Sequence, residues 1–137
     1  MLAGLWAGLL LGVGLIGAPA GFAVAPPEMA GRAAGRIFAQ EAYVSLALGV
    51  VLLILARRQA REHAAASAGS LFSADMMLVL GALFCTVAGH FAIQPMMAAA
   101  RAGQGSLSFG ALHAVSVGFY ATKALLVLAL AWRRTAR

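Results

Sequence analysis

The chain has 137 residues, of which 63% are hydrophobic and 10% are charged, and its formal net charge is +6. A soluble domain carries about 25% charged residues, and a chain this short has too small an interior to hide so much apolar surface. The composition therefore excludes a soluble globule and predicts a protein whose surroundings are a lipid bilayer. The positive charge comes mostly from arginines in short loops, and the chain has no basic patch interleaved with aromatic residues, which excludes a nucleic-acid-binding surface.

Four stretches of the sequence are long enough to cross a bilayer, which needs about 20 predominantly apolar residues. They cover residues 2–25, 36–56, 75–98 and 107–132. Short links join them, so neighbouring helices are expected to run antiparallel. We therefore predict one all-α transmembrane domain over residues 1–137, an integral membrane four-helix up-down bundle in which residues 1–25 remain as the first span.

Basic residues favour the cytoplasmic side of short loops. Six arginines lie in the second link and the C-terminal tail, and three lie in the other two links. The first group is Arg57, Arg58, Arg61, Arg133, Arg134 and Arg137, and the second is Arg32, Arg36 and Arg101. This distribution predicts a multi-pass protein of the bacterial inner membrane with both termini in the cytoplasm.

Glycines recur every four residues at several places, with Gly17 and Gly21 among them. Gly4, Gly8 and Gly12 lie in the first span, and Gly31 and Gly35 precede the second. Small residues at this interval let helices approach closely in lipid, so we expect these five positions to mediate helix packing. Pro19 is expected to interrupt the first span and Pro95 to bend or close the third, because proline breaks the helical hydrogen-bond ladder.

Polar residues interrupt the last span at helical spacing. His113, Ser116, Tyr120 and Lys123 fall within an arc of about 80° at about 100° per residue. Polar groups are costly inside a bilayer, so this face is expected to turn toward the bundle interior. Lys123 lies about 15 Å from the C-terminal end of its span, close to the middle of the bilayer.

The second and third spans supply further polar residues, with Glu41 on the second and with His90 and Gln94 on the third. Counted from the outer ends of the spans, Glu41, His90 and His113 lie about 8–12 Å deep. We therefore predict one buried polar cluster between helices 2, 3 and 4. Its members are Glu41, His90, Gln94, His113, Ser116, Tyr120 and Lys123.

Three interpretations of this cluster stay open at the level of sequence. It is a hydrogen-bonded network that holds helices in register, a pathway for a substrate or ion, or a site in which His90 and His113 bind a transition metal or a haem iron. The chain contains no nucleophile–base pair, phosphate-binding glycine loop or carboxylate dyad. We therefore expect no enzymatic activity.

Two motifs suggest a family. "AGRIF" follows the first span and "FGALHAVS" opens the last, and nearly the whole chain resembles the bacterial branch of the transmembrane-protein-205-like family. The matching positions are Gly31, Arg36, Phe38, Phe109, Leu112, His113 and Ser116. The resemblance implies a four-span membrane domain of unknown function, with eukaryotic relatives linked to resistance against a platinum drug. The sequence departs from the family pattern at Phe119 and Tyr120.

These observations lead to one expectation and two alternatives for function. The expectation is a small inner-membrane protein of unknown biochemical activity that takes part in transport or in metal or drug tolerance. The alternatives are a metal- or haem-binding membrane protein and a structural accessory subunit. The expected partners are the lipid bilayer and either a second copy of the chain or a larger membrane complex, without nucleic acid.

Overall fold

The computed structural model describes residues 1–67 and 69–136, and four long helices account for most of them. We number the helices α1 (Leu2–Val24), α2 (Pro27–Ser67), α3 (Ala74–Arg101) and α4 (Phe109–Thr135). All four are long and apolar enough to cross a membrane, and the described ranges contain no β-strand. The predicted all-α membrane bundle is confirmed.

Consecutive helices run in opposite directions, and the links between them lie at alternate ends of the bundle, which gives the up-down arrangement. A buried apolar cluster connects the beginnings of α1 and α3 with the second halves of α2 and α4. Its largest members are Trp6, Leu10, Leu52, Val79, Val127 and Leu130. We call this side of the molecule, which carries both chain termini and the α2–α3 link, the terminal end, and the other side the opposite end.

Helix α2 differs most from its predicted bounds of 36–56. It has 41 residues and a length of about 60 Å, twice the hydrocarbon thickness of about 30 Å. Residues 27–35 and 57–67, which the sequence analysis assigned to links, are helical. That assignment was wrong because both segments are rich in alanine, and residues 57–67 also contain three arginines, residue types that favour helices even where the surroundings are polar.

Two spans contain a π-helical segment, Gly12–Gly17 in α1 and Val87–Ala92 in α3. A proline follows each segment within three residues, Pro19 in α1 and Pro95 in α3. A proline ring collides with the carbonyl four residues earlier, and the wider π turn gives that carbonyl room to tilt away. Both helices consequently continue past their proline, where the sequence had predicted an interruption.

The predicted glycine positions do not bring helices of this chain together. A Cβ atom built on Gly4, Gly8, Gly12, Gly31 or Gly35 would meet no atom within 4 Å. These glycines lie on open sides of their helices, so their assignment to packing within the chain was wrong. A contact with another molecule through them stays a prediction.

Other glycines make the close approaches. A Cβ on Gly89 would lie 2.9 Å from the Cβ of Phe119, and one on Gly14 would lie 2.9 Å from Cε1 of Tyr120. Both glycines belong to the π-helical segments, so side chains of α4 pack closely against the backbones of α1 and α3 at these segments.

Candidate functional site

The middle of the bundle contains a buried ion pair between α2 and α4. Lys123 Nζ donates to both carboxylate oxygens of Glu41, at 2.8 Å to Oε1 and 2.9 Å to Oε2. The Lys123 side chain is 4% exposed and the Glu41 side chain 2%. Two charges in hydrocarbon are costly unless they pair, and this geometry pairs them completely.

One further side chain donates to the carboxylate, and a second donates to that side chain. Ser45, one helical turn after Glu41, donates its hydroxyl to Glu41 Oε1. Trp6 of α1 donates its indole N–H to Ser45 Oγ at 2.8 Å. The chain of bonds therefore runs from α1 through α2 to α4, and Trp6 and Ser45 are fully buried. We call Trp6, Glu41, Ser45 and Lys123 the central network.

Tyr120 and Ser116 extend from the same face of α4 to the other two helices. The Tyr120 hydroxyl donates to the Leu10 carbonyl of α1 at 2.7 Å, just before the π-helical segment of that span. The Ser116 hydroxyl donates to the Gly89 carbonyl inside the π-helical segment of α3, at 3.5 Å. Irregular backbone at membrane depth needs internal hydrogen-bond partners, and α4 supplies them.

Three polar residues on this face of α4 therefore each contact a different helix. Ser116 contacts α3, Tyr120 contacts α1 and Lys123 contacts α2. The predicted inward orientation holds for these three residues. Tyr120 also presents its ring to Lys123, whose Nζ lies 4.9 Å from the ring centroid, a cation–π contact that helps to neutralise the ammonium.

His113 does not join this cluster, although the sequence analysis predicted that it would. Its side chain is exposed and stacks on Phe109, with ring centroids 5.9 Å apart. Arg101 also lies over the Phe109 ring, with its Cζ 4.5 Å from the ring centroid. The prediction was wrong because His113 lies at the edge of the polar arc and close to the helix start, where its ring can leave the hydrocarbon.

His90 and Gln94 occupy intermediate positions on α3, both half-buried. His90 packs edge-on against Phe91, with centroids 5.0 Å apart, and lies near enough to Glu41 and Lys123 to interact electrostatically with both. Gln94 forms no side-chain hydrogen bond to the rest of the described chain. Among residues 1–67 and 69–136 there is no group of three or more histidine, cysteine or acidic side chains suited to a metal ion.

A second charged cluster lies at the terminal end, and sequence reasoning missed it. Asp75 is buried and accepts from Arg133 Nε at 3.1 Å, while its other oxygen lies 3.3 Å from Arg134 Nε. Asp75 follows the N-cap of α3, Ser73, whose hydroxyl accepts from the Met76 N–H. The signal was available, because Asp75 is an acidic residue at the same predicted level as the arginines of the tail.

Comparison with known proteins places the chain in a family. The family model described as a domain of unknown function (DUF4149) matches residues 1–106. The chain belongs to the DUF4149 family. The DUF4149 match covers α1, α2 and α3 with Glu41, and it ends before α4, which carries Ser116, Tyr120 and Lys123. Neither the curated proteins nor the solved structures contain a match to the chain.

Proposed function

We propose that this DUF4149 protein is a membrane transport protein without enzymatic activity, in which Glu41 carries a proton and Lys123 is its internal counter-ion. The observation that supports it is the ion pair itself, bonded through both carboxylate oxygens and almost completely excluded from the surface. Ionisable residues inside a membrane domain mark ion and proton pathways, and they are otherwise rare because of their cost.

The chemistry of the pair permits opening without leaving a bare charge in hydrocarbon. Transfer of a proton from the Lys123 ammonium to the Glu41 carboxylate converts the pair into an amine and a carboxylic acid. The total charge is zero before and after the transfer, so the electrostatic attraction between α2 and α4 is released while no charge stays unpaired. Glu41 can then exchange its proton with a neighbouring group, and Lys123 can be protonated again.

His90 is the group best suited to exchange with this pair. It is half-buried on α3, within electrostatic range of both charges, and an imidazole gains and loses protons near neutral pH. Gln94 follows one turn later toward the opposite end. The proposed route therefore runs from the central network through His90 to the opposite end. The resemblance to the transmembrane-protein-205-like family supports efflux or tolerance as the physiological purpose.

Proton flux into liposomes tests this proposal. The purified chain is reconstituted into vesicles of phosphatidylethanolamine and phosphatidylglycerol that contain a pH-sensitive dye, and a potassium diffusion potential drives proton entry. We expect faster acidification than in empty vesicles, loss of this flux in E41M/K123M, and retention in E28Q/R32Q. The control removes the exposed Glu28–Arg32 pair, which also joins residues of opposite charge but lies on the surface.

The double variant E41M/K123M removes both charges together, so it leaves no unpaired ion that would unfold the bundle. A folded E41M/K123M protein that conducts protons like the natural chain would refute the pathway. A natural chain that acidifies vesicles no faster than empty ones would refute it too.

A second candidate function, an accessory subunit of a larger assembly, is favoured by the open glycines of α1. Gly4 and Gly8 are exposed on one face, and that face has no neighbour within this chain. Such small-residue faces are typical of helix–helix association in lipid. Particle mass in a mild detergent tests it: G4L/G8L should reduce an assembled particle to the single chain, and G21L, on another side of α1, should not. A natural chain that is already a monomer would remove this candidate.

A further inference from the structure

The arginines at the terminal end fall into two groups that the sequence does not distinguish. Arg133 and Arg134 are bound to Asp75, and Arg134 Nη2 also lies 3.5 Å from Gln59 Oε1. Arg57, Arg58 and Arg61 are exposed, and no carboxylate of residues 1–67 or 69–136 lies within ion-pair distance of them. Asp75 thus binds both described arginines of the tail, whereas the three guanidinium groups of α2 have no carboxylate partner among the described residues and stay available to a partner outside the chain.

These three arginines share one side of α2. At about 100° per residue they span an arc of about 100°, and this arc is centred more than about 100° away from the buried positions Ala56 and Ala60. The guanidinium groups therefore point away from the other helices. They cannot be the lining of a path through the bundle.

The same side of α2 is apolar and exposed where the helix crosses the membrane. Tyr43, Val50 and Ile54 lie on it, with 63%, 49% and 49% of their surface exposed. Arg61 follows Ile54 by seven residues, a rise of about 10 Å, which is the scale of the headgroup layer above the hydrocarbon. One continuous face of α2 therefore has exposed apolar side chains within the hydrocarbon and three exposed guanidinium groups at the level of the headgroups.

We propose that Arg57, Arg58 and Arg61 bind the headgroup phosphate of an anionic phospholipid whose acyl chains lie along Val50 and Ile54, the exposed apolar residues within one leaflet's depth of the arginines. The guanidinium fork fits phosphate oxygens in a bidentate manner, and each basic residue at a membrane surface adds to the attraction of anionic lipid. The apolar stripe selects a lipid over free phosphate, because inorganic phosphate has nothing to place against it. This site is independent of the proposed proton pathway.

Native mass spectrometry of the full chain in detergent tests the site. Dioleoyl phosphatidylglycerol and dioleoyl phosphatidylcholine are titrated separately, and the fraction of lipid-bound protein is measured. We expect the natural chain to prefer phosphatidylglycerol, and R57Q/R58Q/R61Q to lose affinity for it on the order of a hundredfold, with phosphatidylcholine binding unchanged. The matched control R32Q/R36Q/R101Q removes the same charge from the opposite end and should keep the preference.

Equal loss in the two triple variants would show that net charge alone attracts the lipid and would overturn the proposal. Retention of the preference in R57Q/R58Q/R61Q would overturn it as well. The natural chain provides a test that needs no variant: bound phosphatidylglycerol should fall with added sodium chloride and should resist inorganic phosphate at the same ionic strength. Displacement by phosphate alone would identify the free anion as the ligand and contradict a lipid site.

Discussion

Lys123 is the only lysine of the chain, and it lies almost at the centre of the bundle with Glu41 as its partner. A buried ion pair is weak evidence for stability as a whole, because the cost of desolvating both ions offsets their attraction. Removing one partner has a different effect, since the remaining charge then stays in hydrocarbon without compensation.

The single and double substitutions of the pair should therefore differ in stability. We expect K123M and E41Q each to lose about 3–5 kcal/mol of unfolding free energy, and E41M/K123M to lie near the natural chain. Unfolding is followed by circular dichroism during titration with a denaturing detergent. Single variants as stable as the natural protein would show that the two residues do not form a pair, and E28Q/R32Q serves as the control with little expected change.

Alanine substitutions of Gly89 and Gly8 should differ in their effect on stability. Its missing side chain leaves room for the Cβ of Phe119, an atom that cannot move without the α4 backbone. We expect G89A to destabilise the bundle by about 1–3 kcal/mol through overpacking, whereas G8A, which meets no atom within 4 Å, should be neutral or slightly stabilising. The same detergent titration measures both, and equal stabilities would contradict the close approach of α3 and α4.

The polar residues of α4 show how far residue-level prediction can reach. Their spacing alone placed Ser116, Tyr120 and Lys123 on the interior face, because helical periodicity fixes direction within a span. Periodicity did not reveal their partners, because the Leu10 and Gly89 carbonyls are backbone atoms and side-chain spacing carries no information about them. It also failed for His113, since the end of a span has access to water and the middle does not.

At the scale of the helix, α2 is the element that exceeds the membrane. Its last residues, 57–67, continue beyond the hydrocarbon as an exposed helix with one buried position near the bundle, Ala60. Water is therefore the expected surrounding of residue 65 and lipid that of residue 50, although both side chains are exposed in the fold.

Cysteine labelling distinguishes these two surroundings. In a C85A background, we expect A65C to react rapidly with a water-soluble maleimide in membranes, and V50C to remain unlabelled until the membrane is dissolved in denaturant. Mass spectrometry of the labelled chain measures the extent of reaction. Rapid labelling of V50C in intact membranes would contradict the position of α2 in the bilayer.

The number and order of the spans could be predicted because hydrocarbon demands long apolar runs. The continuation of α2 could not be predicted from hydropathy, since a helix outside the membrane no longer needs apolar residues. The alanines, arginines and glutamine of residues 56–66 were the available signal, as these residues favour helices. The effect of the two prolines could not be predicted either, because a π-helical turn accommodates each proline without ending the span.

The distribution of arginines between the two ends of the molecule predicts its orientation in the membrane. The terminal end carries Arg57, Arg58, Arg61, Arg133 and Arg134 among the described residues, and Arg137 lies outside them. The opposite end carries Arg32, Arg36 and Arg101. We expect both termini in the cytoplasm, so a fluorescent reporter at the C-terminus should be active and a periplasmic phosphatase reporter inactive. The reverse pattern would contradict this orientation.

The proposed proton pathway and the expected stabilities both depend on an ion pair between Glu41 and Lys123 inside the bilayer. Solid-state NMR measures this directly in liposomes, because lysine labelled with ¹⁵N at Nζ marks Lys123 alone and ¹³C-labelled glutamate side chains report the distance. We predict strong dipolar dephasing of one glutamate carboxyl, lost in E41Q and kept in E28Q. Glutamate carboxyl signals that show no dephasing by the Lys123 nitrogen would contradict the pair.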